Sequence, residues 1–163
     1  FHHPELGAAG AAFVTLERAG RLLGCVGGLQ PVLPLVSAVA RGAYAAAFED
    51  PRLPPVDEDD FCAMSVKVSV LSALEPFAVD GFDDLLGTVR PGVDGLVVVA
   101  PLRQATLLPS VWRQLPDADA FVDALWQKAG LRPGVWPDGL RMLRYTTQEF
   151  ADPGPRAPAG ART

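Results

Sequence analysis

Histidine is nearly absent: the 163-residue chain has His2 and His3 and no other. A Cys–His dyad or a Ser–His–Asp triad would have to recruit one of that terminal pair, and zinc would lack its four soft ligands. The pair itself reads as solvated or tag-like. Cysteine is scarce too, with only Cys25 and Cys62. Two cysteines do not staple a secreted scaffold, and no secretory pattern opens the chain, so a cytosolic location is expected. Long apolar runs are missing. The longest, residues 96–101, is strand length, against the roughly 18 apolar residues of a membrane span. Lysine occurs twice, as Lys67 and Lys128, and the net charge is −5. Sequence-independent nucleic-acid binding needs clustered cations. Neither a membrane nor a nucleic acid is therefore expected as a partner.

What is present is a moderately apolar chain, 49% hydrophobic and 20% charged, long enough for one domain with a real core. Residues 11–17 alternate in hydrophobicity, Arg18-Ala19-Gly20 reads as a turn, and residues 22–26 return. This predicts a hairpin whose second strand ends on the glycine cluster Gly24, Gly27 and Gly28. Across it, Thr15 could come close to Cys25, in a register that the sequence leaves open. A helix is predicted over residues 31–48, with Pro31 and Pro34 in its first turn. Ala38, Gly42, Ala43 and Ala45 would let it approach a sheet closely.

Asp57 to Asp60 lack the alternating ligands and glycine turn of a calcium loop, and read as a solvated loop. Residues 61–71 form the plainest strand pattern. Cys62, Met64, Val66, Val68 and Val70 share one face, and Ala63, Ser65, Lys67 and Ser69 the other. Further strands are expected over 94–100, 104–108 and 140–150. Helices are expected over 82–86, capped by Asp80, and over 120–129, closed by Gly130 with Lys128 in its last turn. Trp112, Trp126 and Trp136 read as core residues, and Asp94 as an Asx-type turn. Residues 1–10 read as irregular and residues 151–163 as a disordered tail. The sum is an α+β fold: a two-lobed single domain with mainly antiparallel sheets and packed helices.

Several stretches occur together in order: FVTL at 13–16, LLGCVG at 22–27, DPRLPP at 50–55, SVLS at 69–72, PGVDGL at 91–96, LLPSVW at 107–112, and KAGL at 128–131 followed by Trp136. On these the chain resembles the AMMECR-type domain family over residues 1–150. The resemblance implies a two-lobed α+β unit on antiparallel sheet. It also implies a place in the AmmeMemoRadiSam system, beside a Memo-like protein and a radical SAM protein. The family's hexapeptide is LRGCIG, so Leu23 stands where the family has arginine; Arg21 could supply a guanidinium nearby. The family domain begins with a helix before FVTL that this chain starts too late to contain whole. The resemblance brings no established reaction and leaves the cofactor open.

The candidate site is Cys25 as nucleophile or modification acceptor, with Arg21, Gly24, Gly27, Thr15, Lys67 and Ser69 as binding residues and no metal. Glycines around a thiol make either a pinched corner or a small pocket. A nucleophilic role needs a cation, a helix N-terminus or a base near the thiol. The favoured reading is a binding or adaptor component using a glycine-framed cysteine pocket. An enzyme or enzyme subunit using Cys25 is the alternative, and a purely packed Cys25 is compatible with either.

Overall fold

A computed structural model describes residues 4–156. The chain divides into two compact units, residues 1–71 with 148–163, and residues 72–147. Each is built on an antiparallel sheet with helices packed against it, the expected α+β class. The terminal pair His2 and His3 and residues 157–163 lie outside the described residues. Among the described residues no helix is long and apolar enough to cross a membrane.

The first unit is organised on β1 (Ala9–Arg18), which pairs on both sides. On one side is β2 (Arg21–Gly27), joined through Ala19 (φ 49°) and Gly20 (φ 78°), as the hairpin reading expected. A bulge after Leu16 shifts the β1–β2 register. A short strand β3 (Leu33–Pro34) pairs with the beginning of β1. The helix α2 (Leu35–Phe48) therefore starts later than residue 31, because the backbone before it is spent on that pairing. Residues 1–10, expected to be irregular, hold a short helix α1 (Pro4–Gly7) and the beginning of β1.

The acidic run is not a solvated loop. Asp57 caps a helix α3 (Glu58–Ala63), its side chain accepting from the Asp60 amide at 2.7 Å, and Glu58, Asp59 and Asp60 fill the first turn. Carboxylates there suit the positive end of the helix. Cys62 thus lies in α3 rather than on a strand face, and β4 (Ser65–Leu71) begins after it. β4 pairs with β1, and β9 (Thr147–Asp152) completes the sheet order β2–β1–β4–β9. Residues 151 and 152, expected in the tail, end β9. Beyond them the Arg156 amide donates to the Cys62 carbonyl at 2.9 Å, and its guanidinium to the Met64 carbonyl.

The second unit has the sheet order β5–β8–β6–β7. Its strands are β5 (Glu75–Phe77), β6 (Gly95–Ala100), β7 (Arg103–Leu107) and β8 (Arg141–Tyr145). The single strand expected over 140–150 is two, β8 and β9, with Thr146 between them. A helix α4 (Phe82–Thr88), a 3-10 turn (Pro109–Arg113) and a helix α5 (Ala118–Ala129) cover the core. Asp80 does not cap α4; its amide instead donates to Asp84 at 3.1 Å. Gly130 ends α5 at φ 67°, as its sequence position predicts. Trp112 and Trp126 are buried, and Trp136 packs against that core. Trp112 stacks on Phe121 at 3.8 Å. Asp94 makes no Asx-type turn: it is fully buried and accepts from the Arg90 amide at 2.9 Å and the Arg90 guanidinium at 2.6 Å.

Candidate functional site

Period-two alternation sorts the first unit's sheet into two faces. Val14 and Leu16 pack with Ala46 and Ala47 of α2, so their neighbour Thr15 points to the opposite face. Register then fixes what stands beside it. Thr15 is paired with Cys25 on one side and Lys67 on the other. The three make a row across β2, β1 and β4. The Cys25 Sγ lies 3.4 Å from the Thr15 Oγ1, and the thiol is half-buried. In the next row Phe13 separates Gly27 from Ser69. Ser69, expected on the more polar face as open surface or as the wall of a cleft, is buried, at 3% exposure.

β2 is an edge strand, and edges leave backbone groups unpaired. At Cys25 two side chains take the place of a missing neighbour. The Asp50 Oδ2 accepts from the Cys25 amide at 3.0 Å, and the Arg52 Nη2 donates to the Cys25 carbonyl at 3.1 Å. Asp50 and Arg52 are themselves joined at 2.7 and 2.9 Å. The Arg52 guanidinium holds the Asp50 carboxyl well below the usual carboxylate range, against the opposing effect of burial, and the Cys25 and Arg52 amides add to the lowering. The Arg52 guanidinium is raised in turn by Asp50. This clamp has a sequence signal, the D-P-R of residues 50–52, which reads on its own only as a helix stop.

The glycines are approach points. A Cβ on Gly24 would stand 1.8 Å from the Ala46 carbonyl oxygen of α2, and one on Gly27 would stand 2.3 Å from the Ala12 oxygen of β1. This is the pinched-corner geometry. Leu23, at the family's arginine position, is buried in the cluster with Val14, Leu16 and Ala46. Arg21 does not serve Cys25: its guanidinium bonds to Asp60 at 2.9 Å, beside Arg18 at 3.0 Å. Those two arginines hold the Asp60 carboxyl low, the Arg18 hydrogen bond first. The guanidinium that reaches Cys25 is that of Arg52. The structure thus brings Thr15, Cys25 and Lys67 together, buries Gly24 under α2, leaves Gly27 exposed in close approach to β1, and takes Arg21 elsewhere. Among the described residues no group of three or more His, Cys, Asp and Glu is placed to hold a metal.

Comparison with known proteins agrees with this architecture. A family model described as AMMECR1 matches residues 2–150. A protein of Methanothermobacter thermautotrophicus is 40% identical over 144 residues, covering 87% of this chain and 75% of that one. Protein MJ0810 of Methanocaldococcus jannaschii is 33% identical over 141 residues, covering 83% and 68%. The crystal structure of the uncharacterized protein PH0010 from Pyrococcus horikoshii superposes with a TM-score of 0.87 at 32% identity, covering 96% of this chain and 80% of that one.

Proposed function

This chain belongs to the AMMECR1 family, and from that premise we propose that it is a cytosolic binding component rather than an enzyme. The Cys25–Thr15–Lys67 row and the Asp50–Arg52 clamp present its contact face. The observation that carries this reading is how the groups beside the thiol are spent. Asp50, the carboxylate placed at Cys25, bonds to its amide and not to its sulfur. Arg52 keeps it ionised, which makes it a weak proton acceptor at neutral pH. The thiol itself meets a hydroxyl. A nucleophile needs a base or a cation aimed at the sulfur, whereas here the charged pair holds the backbone in place. On the family resemblance, the partners are a Memo-like protein and a radical SAM protein.

An enzymatic use of Cys25 is the second reading, favoured by the Arg52 guanidinium within 3.1 Å of the Cys25 carbonyl. One experiment separates the two. The chain is mixed with a Memo-like protein and a radical SAM protein from one genome, and complexes are sized by light scattering. A stoichiometric complex is expected, with Lys67→Glu weakening it about tenfold through charge reversal at the face and Cys25→Ser leaving it intact. Failure to form a complex, together with a turnover lost in Cys25→Ser, would overturn the binding reading in favour of the enzymatic one.

A further inference from the structure

A second recess lies in the first unit, outside the Cys25 row. β2 stops at Gly27, opposite Phe13, and β3 resumes pairing with β1 only at Leu33, opposite Gly10. The connecting residues and one flank of α2 enclose a groove of about 360 Å³, within the size range of small-ligand sites. Its floor and walls are mostly glycine and alanine, from Gly10 to Ala12 on β1 and from Ala38 to Ala45 on α2. Small side chains are what leave the space open.

Two features give the groove a chemistry. The first is backbone. Cys25 turns its amide and carbonyl away from β1, toward Asp50 and Arg52. In an antiparallel ladder the residue two further on faces the same way. Gly27 is that residue; it is exposed and lines the groove. The clamp that covers the edge at Cys25 thus ends one step short of Gly27. The second is charge. Arg18, Arg21, Arg52 and Arg156, the other described arginines of this unit, are all ion-paired. Arg41 also lines the groove, and among the described residues it makes no hydrogen bond or ion pair.

We propose that this groove binds a ligand carrying an extended amide next to a carboxylate: the amide pairs with the Gly27 backbone edge, and the carboxylate with the Arg41 guanidinium. A peptide C-terminus and a free N-acyl amino acid or dipeptide share this chemistry. Edge-strand pairing and terminal-carboxylate capture are established ways to hold such ends, and guanidinium–carboxylate pairing is strong and directional. The space suits small side chains beside the amide. The groove does not include Cys25, so the inference stands or falls separately from the partner reading above.

The test titrates the isotopically labelled full chain with N-acetyl-Ala-Ala, followed by amide NMR shifts. Saturable shifts are expected at Gly27, Gly28 and the Arg41 side chain. Capping the probe's carboxylate as an amide should weaken binding about tenfold or more, and Arg41→Gln should do the same. Ala38→Phe, which fills the groove from α2, should abolish binding while the rest of the spectrum is retained. A peptide of about ten residues ending in Ala-Ala that binds as tightly identifies a polypeptide C-terminus as the source. Loss of binding on that extension identifies a free small ligand. Absence of saturation, equal affinity for acid and amide, or indifference to Arg41→Gln would each overturn the proposal.

Discussion

Both units bury aspartates against arginines, and Asp94 in the second and Asp50 in the first show the pairs used differently. In the second unit Asp94 and Arg90 are four residues apart, and the pair locks the turn that leads into β6. In the first unit Asp50 and Arg52 reach across 25 residues or more to the backbone of Cys25. The hydrophobic parts differ in the same sense. The second unit packs large side chains: Trp112 on Phe121, and Trp126 with Phe82 at 5.0 Å. The first packs glycine and alanine of α2 against valines and leucines of the sheet, with backbones in close approach. One unit is stabilised by filled volume, while the other gives up volume and keeps half-buried polar rows and an open groove. The Cys25 row, the Asp50–Arg52 clamp and the groove beside Gly27 all fall on the first unit.

The contrast breaks most sharply under substitutions of opposite sign. Phe121→Ala removes a fully buried ring and should cost about 4 kcal/mol. Gly24→Ala adds one carbon where the neighbour is the backbone of α2, so the helix must move, at a cost of about 3 kcal/mol. Urea denaturation gives both totals. Hydrogen exchange locates them: protection should fall in α5 and β6 for the first, and in β2 and α2 for the second. Equal loss throughout the chain for both variants would mean that the units do not differ in this way.

pH should separate them next. Three carboxylates held low by their partners, Asp50, Asp60 and Asp152, belong to the first unit. A depressed folded-state pKa gives stability that is present above the unfolded value, about 3.9, and is lost as pH falls below it. In the second unit burial pushes Tyr145 up to about 12, against a 2.7 Å hydrogen bond with Thr106. That contribution is full below the unfolded value, about 10, and is lost as pH climbs from there toward 12. Acid should therefore open the first unit's amides to exchange first, and alkali the second's. Asp50→Asn should flatten the acid response of the first unit and leave the alkaline response of the second in place.

How much of this was legible follows from the distance over which each feature is decided. The β1–β2 hairpin was readable, because alternation and Gly20 are local signals, but the register that pairs Thr15 with Cys25 was not, since a bulge after Leu16 shifts it. Lys67 joined the row through the alternation of β4. The starts of α2 and α3 were misread where a neighbouring interaction overrode the local pattern: Pro34 could open a helix but pairs with Ala9, and Asp57 looked like one of four solvated acids but caps α3. Asp50 and Arg52 were invisible as site residues, since only the length of α2 returns them to β2. Arg21 seemed close to Cys25 in sequence, but Asp60, brought in by α3, claims it.

The smallest expected effect tests redundancy. Asp60 accepts from both Arg18 and Arg21 through the same oxygen, and the Arg21 side chain is 59% exposed. Exposed pairs contribute little, and removing one of two arginines leaves the carboxylate paired. Arg21→Gln should thus leave the urea midpoint unchanged within error. Arg90→Gln should shift it measurably, because Asp94 is fully buried and among the described residues no second arginine is bonded to it. The double variant of Arg18 and Arg21 should exceed the sum of its singles, since only the second loss strips Asp60 of its cation. Additive singles would mean that each arginine acts alone, and the first unit would then share the one-to-one pairing of the second.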